Sequence, residues 1–433
     1  MNAIGAVQNF FKKVAGSRQI QKKIFVTLGI FLVARVLTAV PVPGINTARL
    51  SELFANNQFL GLLNIFAGGT LATFSIVAIG VSPYITSSIV FQLLGMVFPK
   101  LKDLQKDGER GKAKLNQYTR LLSLPVAIIQ SISMIAMMSS QGLLTTSDLM
   151  SVITIVVTLV TGAFIMLWLG ELIGTYGLGN GVSMIMTLGI ISQFPGMIFR
   201  FVQAAPSFGL AQALMSVGVL VGVIAVVWLV VVINEAVRNV PIQYAKRIYG
   251  TRVSGGQSTY FPVKVNSVGV MPIIFAITLV SLPSFLGQIL SSVANPGVSN
   301  FGQQLMVLFN QNGWFYMVFY FVVVFVFSYF SSMIFFNTGD IADELKKSGA
   351  FVPGVRPGGQ TKDFLSAVVK RLTFIAAIFL GSIAVLPFLL QRITGAGSLA
   401  IGGTSILILV SVLLEMNKTL DGMAVGQNYD RYE

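Results

Sequence analysis

The chain has 433 residues, of which 54% are hydrophobic and only 10% are charged. An ordinary soluble domain carries roughly a quarter charged residues, so this composition excludes a typical water-soluble fold. Cysteine and histidine are absent, which removes disulfides, thiolate metal sites, cysteine nucleophiles and the commonest general base. We therefore expect no catalytic residue, no metal site and no cofactor.

Uncharged segments long enough to cross a membrane as helices, which takes about 20 residues each, recur along the chain. They predict one all-α, multi-pass membrane domain with ten transmembrane helices. The first follows a polar, basic arm at residues 1–21, which favours a retained helix over a cleaved signal peptide. The predicted spans lie near residues 22–40, 75–98, 119–138, 151–172, 182–201, 212–234, 268–291, 314–336, 371–390 and 401–416.

The positions of lysine and arginine indicate the orientation. The N-terminal arm, the second, sixth and eighth loops and the tail hold 25 of the 29 basic residues, all on one side of this map. Only Arg49, Arg200 and Arg392 fall on the other side, and Arg35 lies inside the first span. Because positively charged loops stay in the cytoplasm, both termini are expected to face it.

One uncharged stretch, Leu53–Pro99, is long enough for two spans. Two spans would place the basic loop Lys100–Lys114 outside, so we predict a single span preceded by a re-entrant or surface helix at Phe59–Phe74. Gly68 and Gly69 would let the chain turn back there. Irregular backbone at membrane depth is tolerated only inside protein or beside water, so this segment implies a cavity.

Acidic groups are missing from the middle of the spans, since Glu171, Glu235 and Glu415 fall at helix ends. An ion-coupled transporter usually needs such a group, and the motifs of intramembrane proteases are absent as well. No nucleotide-binding P-loop is present, so any transport would draw its energy from a partner or from the membrane potential. A secondary transporter of a small solute and an inert helical scaffold stay open as alternatives.

Short strings spread from the first span to the tenth carry a resemblance to a known family. Those in the first half are Pro41-Val42-Pro43-Gly44-Ile45, Ala67-Gly68-Gly69, Pro83-Tyr84-Ile85, Gln92-Leu93-Leu94, Gln117-Tyr118-Thr119-Arg120, Trp168-Leu169-Gly170-Glu171 and Gly179-Asn180-Gly181. Those in the second half are Tyr244-Ala245-Lys246-Arg247, Gln257-Ser258-Thr259, the run Leu345–Gly354, Arg356-Pro357-Gly358 and Gly402-Gly403-Thr404-Ser405.

In this order and at these spacings, the strings resemble the SecY family, the channel-forming subunits of the bacterial general secretory (Sec) translocon. The resemblance implies a protein-conducting channel that passes unfolded, signal-bearing polypeptides and releases transmembrane segments sideways into lipid. It implies two inverted five-helix halves around an hourglass pore in the bacterial cytoplasmic (inner) membrane. The expected divisions are an arm at 1–21, halves at 22–201 and 202–416, basic cytoplasmic loops at about 235–267 and 337–370, and a cytoplasmic tail at 417–433.

The resemblance also implies an apolar ring that closes the pore. Val81 and Ile85, like Val182 and Met186, are four residues apart and so share a helix face. An apolar constriction can dewet and block ions while offering no polar group to a passing peptide. Spacing alone would favour ordinary core positions, and the motifs favour the ring: Val81, Ile85, Val182, Met186, Ile274 and Ile408.

A plug and a lateral gate are carried over from the same motifs. The plug is expected at about residues 62–73, with a simple periplasmic cap as the alternative, and its motif region is Asn64, Ile65, Phe66, Ala67, Gly68, Gly69 and Thr70. The gate candidates are Thr86, Ser87, Gln92, Gln130 and Thr278. Hydroxyl side chains in membrane helices commonly bond their own backbone, which is the alternative for these positions.

The basic loops are candidate docking surfaces. Orientation and contact with anionic membrane lipids would explain their charge, at about 1 kcal/mol per basic residue. The family adds the motor ATPase SecA and the ribosome, whose RNA phosphates attract such loops. It also adds the small membrane subunits SecE and SecG, and signal peptides as clients. The docking candidates are Lys246, Arg247, Arg252, Lys346, Lys347 and Arg356.

Overall fold

A computed structural model gives the protein's architecture. It describes residues 17–45, 50, 70, 73–140, 142–144, 148–192, 194–195, 210–244, 247–249, 252–254, 258–291, 295–310, 313–394 and 403–430. The chain divides into two compact units. The first comprises Met1–Phe208, Phe285–Val307 and Val412–Glu433, and the second comprises Gly209–Ser284 and Leu308–Ser411.

Helices make up most of the described chain. They are α1 (Arg18–Ala39), α2 (Ser82–Val97), α3 (Pro99–Lys106), α4 (Gly108–Ser140), α5 (Leu149–Tyr176), α6 (Gly181–Ile191), α7 (Leu210–Glu235), α8 (Met271–Ser291), α9 (Pro296–Leu308), α10 (Trp314–Phe335), α11 (Thr338–Lys347), α12 (Gly359–Thr394) and α13 (Gly403–Asp430). All except α3, α9 and α11 overlap a predicted span, and the predicted all-α membrane fold is confirmed.

Length and apolar composition single out four of the described helices as able to cross a membrane on their own. They lie in α4, α5, α10 and α12, and two shorter apolar helices lie in α6 and α7. Two of the other helices, α2 and α6, are only 16 and 11 residues long, which is shorter than a full crossing. The count of ten crossings therefore stays a prediction, supported by the overlap of each predicted span with a helix.

The second predicted span becomes helical later than the sequence suggested. Residues 73–81 form a series of turns, and α2 begins only at Ser82. Two backbone hydrogen bonds fasten the turns to the chain after α1, because Val42 N–H donates to the Phe74 carbonyl at 2.9 Å and Ile76 N–H donates to the Val40 carbonyl at 3.0 Å. The fully buried Phe74 has a φ of 42°, which is rare for a residue with a side chain and interrupts a helix.

Glycines allow the helices of the first unit to approach closely. A Cβ at Gly162 of α5 would collide with the carbonyl oxygen of Ile76, and a Cβ at Gly181 of α6 would collide with the carbonyl of Gly170 in α5. Small residues serve this purpose in membrane bundles, where dispersion contacts replace the hydrophobic driving force. The turns at residues 73–81 therefore pack closely against α5 at Gly162.

Five strands were not predicted. They are β1 (Val237–Tyr244), β2 (Arg247–Tyr249), β3 (Arg252–Ser254), β4 (Ser258–Lys264) and β5 (Ala350–Phe351). β1 lies between β4 and β5 in a three-stranded sheet, and β2 pairs with β3. β1 shows the alternation of a strand with one buried face, since Val240 and Ile242 are buried while their neighbours are exposed. The sequence carries this pattern as apolar residues at every second position. The high charge of the segment made it resemble a loop.

The close contact at Gly162 makes a testable prediction. Gly162→Ala should destabilise the purified protein by about 1–3 kcal/mol, because the added methyl group meets backbone that is itself hydrogen-bonded. The control is Gly222→Ala on α7, where a Cβ would meet nothing within 4 Å. Thermal unfolding in detergent measures both variants, and an equal loss in the two would contradict this account of the packing.

Candidate functional site

The first pair of predicted ring residues lies at the start of α2. Val81 directly precedes the helix and is 7% exposed, and Ile85 lies one turn later and is half-buried. The Ile85 N–H donates to the Val81 carbonyl at 3.2 Å, so the two residues stack along one face. Pro83 lies in the first turn, where its missing N–H costs nothing and its fixed φ favours a helix start.

The second pair lies at the start of α6, which the Gly-Asn-Gly motif builds. Asn180 caps the helix because its side chain accepts a hydrogen bond from Ser183 N–H at 3.4 Å. Gly179 has a φ of 68°, a conformation that favours glycine. Val182 and Met186 follow one turn apart and are both half-buried. The motif thus fixes where this helix begins and which face its apolar residues share.

Two further ring candidates belong to the second unit. Ile274 lies in the first turn of α8, where its N–H donates to the Val270 carbonyl at 3.3 Å, and it is half-buried. Ile408 lies in α13 and is 3% exposed. All six candidates are apolar and none is exposed, as a dry constriction requires. Their joint closure of a pore stays a prediction.

The predicted plug falls almost entirely outside the described residues, which include only Thr70 of its motif region. Thr70 is 2% exposed, and its hydroxyl donates to the Ala78 carbonyl at 3.3 Å. Ser75 N–H donates to the Thr70 carbonyl at 3.0 Å. The C-terminal end of the predicted plug is therefore fastened to the turns that precede α2.

The gate candidates divide into two chemical groups. The Thr86 hydroxyl donates to the Ser82 carbonyl at 3.0 Å and the Ser87 hydroxyl to the Pro83 carbonyl at 2.8 Å, which is the local bonding expected of such residues in helices. The buried Oε1 atoms of Gln92 and Gln130 accept no hydrogen bond from the described residues. Thr278 lies on α8, and its side chain is outside the description.

The two unpaired amide oxygens distinguish the glutamines from the hydroxyl residues. Gln92 also donates from Nε2 to the Ser88 hydroxyl at 3.3 Å, so only its oxygen is unsatisfied. A buried acceptor without a donor costs roughly 1–3 kcal/mol. The two glutamines are therefore the gate candidates whose hydrogen-bonding capacity the described residues leave incomplete.

One ion pair joins two of the motifs noted in the sequence. Arg120, at the end of the Gln-Tyr-Thr-Arg string on α4, lies 2.5 Å from Glu171, at the end of the Trp-Leu-Gly-Glu string on α5. The two side chains are 50% and 32% exposed. An exposed pair contributes about 0–1 kcal/mol, so these charges align two helices without adding much stability.

The two basic loops form a single structure. β1 pairs with β4 from Val237↔Lys264 to Gln243↔Ser258, and its end pairs with β5 through Gln243↔Phe351 and Tyr244↔Ala350. We call the sheet together with α11 and the first turns of α12 the sheet platform. Its apolar core contains Val240, Ile242, Val263, Leu345, Ala350, Val352, Leu365 and Val369.

The sheet platform presents several of the predicted docking residues. Lys346 and Lys347 occupy the last turn of α11 and are exposed. Arg356 is exposed too, and its backbone is held because the Thr361 hydroxyl donates to its carbonyl at 2.9 Å. Val355, the residue before Arg356, is also held, because its N–H donates to the Val352 carbonyl at 3.0 Å. A rigid loop therefore carries a solvent-facing guanidinium group.

The remaining docking candidates lie in the hairpin beyond the platform. Arg247 belongs to β2 and Arg252 to β3, where they pair with Ser254 and Tyr249, and their side chains are outside the description. Lys246 lies outside the described residues. The structure thus shows where the side chains of Lys346, Lys347 and Arg356 lie. The docking roles of Lys246, Arg247 and Arg252 rest on the sequence alone.

Comparison with known proteins settles the family. The family model of SecY matches residues 75–417. The chain belongs to the SecY family. The protein translocase subunit SecY of Staphylococcus aureus (strain NCTC 8325 / PS 47) is 38% identical to it, with 98% of each chain covered. The SecY of Corynebacterium glutamicum is 37% identical, with 95% of this chain and 96% of the relative covered.

Solved structures agree with SecY at the level of the fold. A structure titled as that of a protein conducting channel matches with a TM-score of 0.63 at 17% identity, covering 93% of this chain and 92% of the other. Sec61 in the canine ribosome-channel complex from the endoplasmic reticulum matches with a TM-score of 0.57 at 17% identity, with the same coverage. At such identities the likeness shows the fold alone.

The shared sheet generates a second prediction. Because Gln243 and Phe351 are direct partners and the chain contains no cysteine, the double variant Gln243→Cys/Phe351→Cys should form an intramolecular disulfide under mild oxidation. The control pairs Phe351→Cys with Asn239→Cys, which lies four residues along β1 and roughly 13 Å away. Mobility on non-reducing gels measures the bond. Equal bonding in both variants would contradict the sheet.

Proposed function

We propose that this chain is the channel subunit of a protein translocase, passing unfolded, signal-bearing polypeptides across the membrane and releasing transmembrane segments sideways into lipid. The observation that carries the proposal is that the six residues predicted to form the ring are all apolar and that none of them is exposed. The curated relatives are named protein translocase subunits, and the solved structures with a similar fold include a protein-conducting channel. Neither group supports the small-solute transporter or an enzymatic role.

An apolar ring suits this function for a physical reason. A constriction lined by valine, isoleucine and methionine loses its water when empty, and ions then cannot cross it without losing their hydration. A polypeptide in transit meets only dispersion contacts, which are individually weak and independent of sequence. The ring Val81, Ile85, Val182, Met186, Ile274 and Ile408 therefore blocks ions without selecting among peptides.

The membrane arrangement follows from the charge distribution. The chain is a multi-pass membrane protein, and we place it in the bacterial cytoplasmic membrane with both termini in the cytoplasm, because 25 of 29 basic residues then face that side. The halves at 22–201 and 202–416 would be inverted relative to one another, with the pore between them. In this arrangement the sheet platform faces the cytoplasm.

The plug and the gate complete the channel. Residues 62–73 would fill the pore from the outer side, anchored at Thr70, and leave it when a polypeptide enters. Gln92 and Gln130 are the favoured gate residues, because their unpaired oxygens would gain hydrogen-bond donors when the helices separate. Thr86, Ser87 and Thr278 line the same gate in this proposal.

Docking of partners is assigned to the basic loops. Exposed Lys346, Lys347 and Arg356 support a cytoplasmic surface for SecA or for ribosomal RNA, with Lys246, Arg247 and Arg252 extending it along the hairpin. Sec61, one of the structural likenesses, was solved in a ribosome-channel complex. SecE and SecG are the proposed membrane partners. The same basic side chains also suit anionic lipid headgroups.

The ring proposal is tested by crosslinking a polypeptide in transit. The chain has no cysteine, so six single-cysteine variants at the ring positions each carry one unique thiol. A precursor stalled by a folded C-terminal domain and carrying one cysteine should form a disulfide with each of them. The control is Trp228→Cys, whose side chain on α7 is 66% exposed. Ring variants that bond no better than this control would contradict the proposed path.

Deleting the plug, residues 62–73, should leave a channel that folds but leaks ions when idle. The deletion removes the seal on one side of the ring and leaves the motifs that build α2 intact. Ion conductance of reconstituted vesicles measures the leak, and retained elution as a monodisperse complex controls for folding. An unchanged leak in a folded complex would count against the plug assignment.

Charge reversal at Arg356 tests the docking surface. Arg356→Glu should reduce SecA-driven passage by about tenfold, the equivalent of about 1.4 kcal/mol of lost binding, while membrane insertion of the variant stays normal. The matched control is Lys418→Glu, which makes the same charge reversal at an exposed position of α13. Equal defects in the two variants would indicate a general charge effect and contradict a specific role for Arg356.

A further inference from the structure

Three polar side chains in the second unit form a continuous chain of hydrogen bonds between helices. Gly269 N–H donates to Asn266 Oδ1 at 3.1 Å, Asn266 Nδ2 donates to Asn234 Oδ1 at 2.7 Å, and Asn234 Nδ2 donates to the Ser411 hydroxyl at 3.0 Å. The members come from the segment before α8, the end of α7 and the middle of α13. None of them belongs to the ring, plug, gate or docking surface proposed above.

The direction of this chain is fixed by its first member. A backbone N–H can only donate, so the oxygen of Asn266 faces Gly269 and its NH₂ group faces Asn234. The same reasoning turns the NH₂ group of Asn234 toward Ser411. Asn266 is only 6% exposed, so breaking these hydrogen bonds leaves a buried polar group without its partner.

Both ends of this hydrogen-bond chain lie close in sequence to a proposed ring residue, because Gly269 precedes Ile274 by five residues and Ser411 follows Ile408 by three. Asn266 holds the turn at Gly269, whose φ is 69°, and the adjacent Val270 carbonyl accepts the N–H of Ile274 at 3.3 Å. At the other end, Ser411 follows Ile408 by three residues on α13, and residues at this spacing are neighbours on a helix surface. The hydrogen bonds therefore join the first turn of α8 to the turn of α13 that bears Ile408.

We propose that Asn234 and Asn266 are positioning residues that hold Ile274 and Ile408 in register in the resting channel. This inference rests on the proposed ring and extends it to polar residues behind the ring. The base of the sheet platform reaches the same place, since Val265 N–H donates to the Ala236 carbonyl at 2.9 Å. A partner that shifts the platform would therefore act on these side chains before it acts on the ring.

Leak measurements test the proposal with a conservative rescue. Asn266→Ala and Ser411→Ala should each raise the ion leak of idle vesicles by roughly fivefold, the effect of about 1 kcal/mol on a two-state equilibrium. Precursor passage should be retained, whereas a general folding defect would lower it. Ser411→Thr keeps the hydroxyl and should match the unmodified protein. A leak in Ser411→Thr equal to that in Ser411→Ala would overturn the proposal.

The matched control is Ser267→Ala. Its hydroxyl donates to the Lys264 carbonyl at 2.7 Å, and Ser267 adjoins Asn266 without taking part in the hydrogen bonds among Asn266, Asn234 and Ser411. Its removal should leave the leak unchanged. The double variant Asn266→Ala/Ser411→Ala should leak no more than either single variant, because one break already interrupts the chain. Additive effects would contradict a single connected unit.

Distance measurements separate this proposal from the ring itself. Nitroxide labels at Leu279→Cys on α8 and Leu413→Cys on α13, both 44% exposed in the unmodified chain, report the separation of the two helices. Asn266→Ala should shift or broaden the distance distribution, and Ser267→Ala should not. An unchanged distribution overturns the positioning role. A shifted distribution with an unchanged leak upholds that role and counts against the ring of the proposed function.

Discussion

Backbone polar groups inside a membrane must find partners within the protein, because an unpaired group in hydrocarbon costs several kcal/mol. Most of the described chain meets this constraint through helices. Residues 73–81 meet it differently, through backbone hydrogen bonds from Ile76 to Val40 and from Val42 to Phe74. Gly162 brings α5 against these turns. The start of α2, and with it the position of Val81 and Ile85, depends on this arrangement.

The sequence predicted the elements that hydrophobicity and charge determine, and it was weaker where tertiary contacts decide. Each of the ten predicted spans overlaps a helix, since long apolar segments have few alternatives in lipid. The late start of α2 depends on the left-handed backbone of Phe74 and on Gly80, which no periodicity reveals. The strand pairing of Gln243 with Phe351 joins residues more than 100 positions apart, and neither segment alone indicates its partner.

The candidate site shows the same division. Motifs predicted the ring positions, and in the structure none of these six apolar side chains is exposed, while the ring itself stays a prediction. The sequence did not predict the hydrogen bonds from Asn266 through Asn234 to Ser411, because single polar residues in and beside helices are common and only their distances connect these three. Two basic loops that seemed independent share one apolar core, so the docking surface and the membrane helices of the second unit are parts of one folded structure.

The most direct test of the central claim is translocation into proteoliposomes. The purified chain is reconstituted with SecE, SecG, SecA and ATP, and protease protection of a signal-bearing precursor is scored beside a working control translocon. The account predicts protection that requires both ATP and the signal sequence. A well-folded complex that gives no protection while the control succeeds would contradict the proposed channel function and leave the SecY fold without its assigned activity.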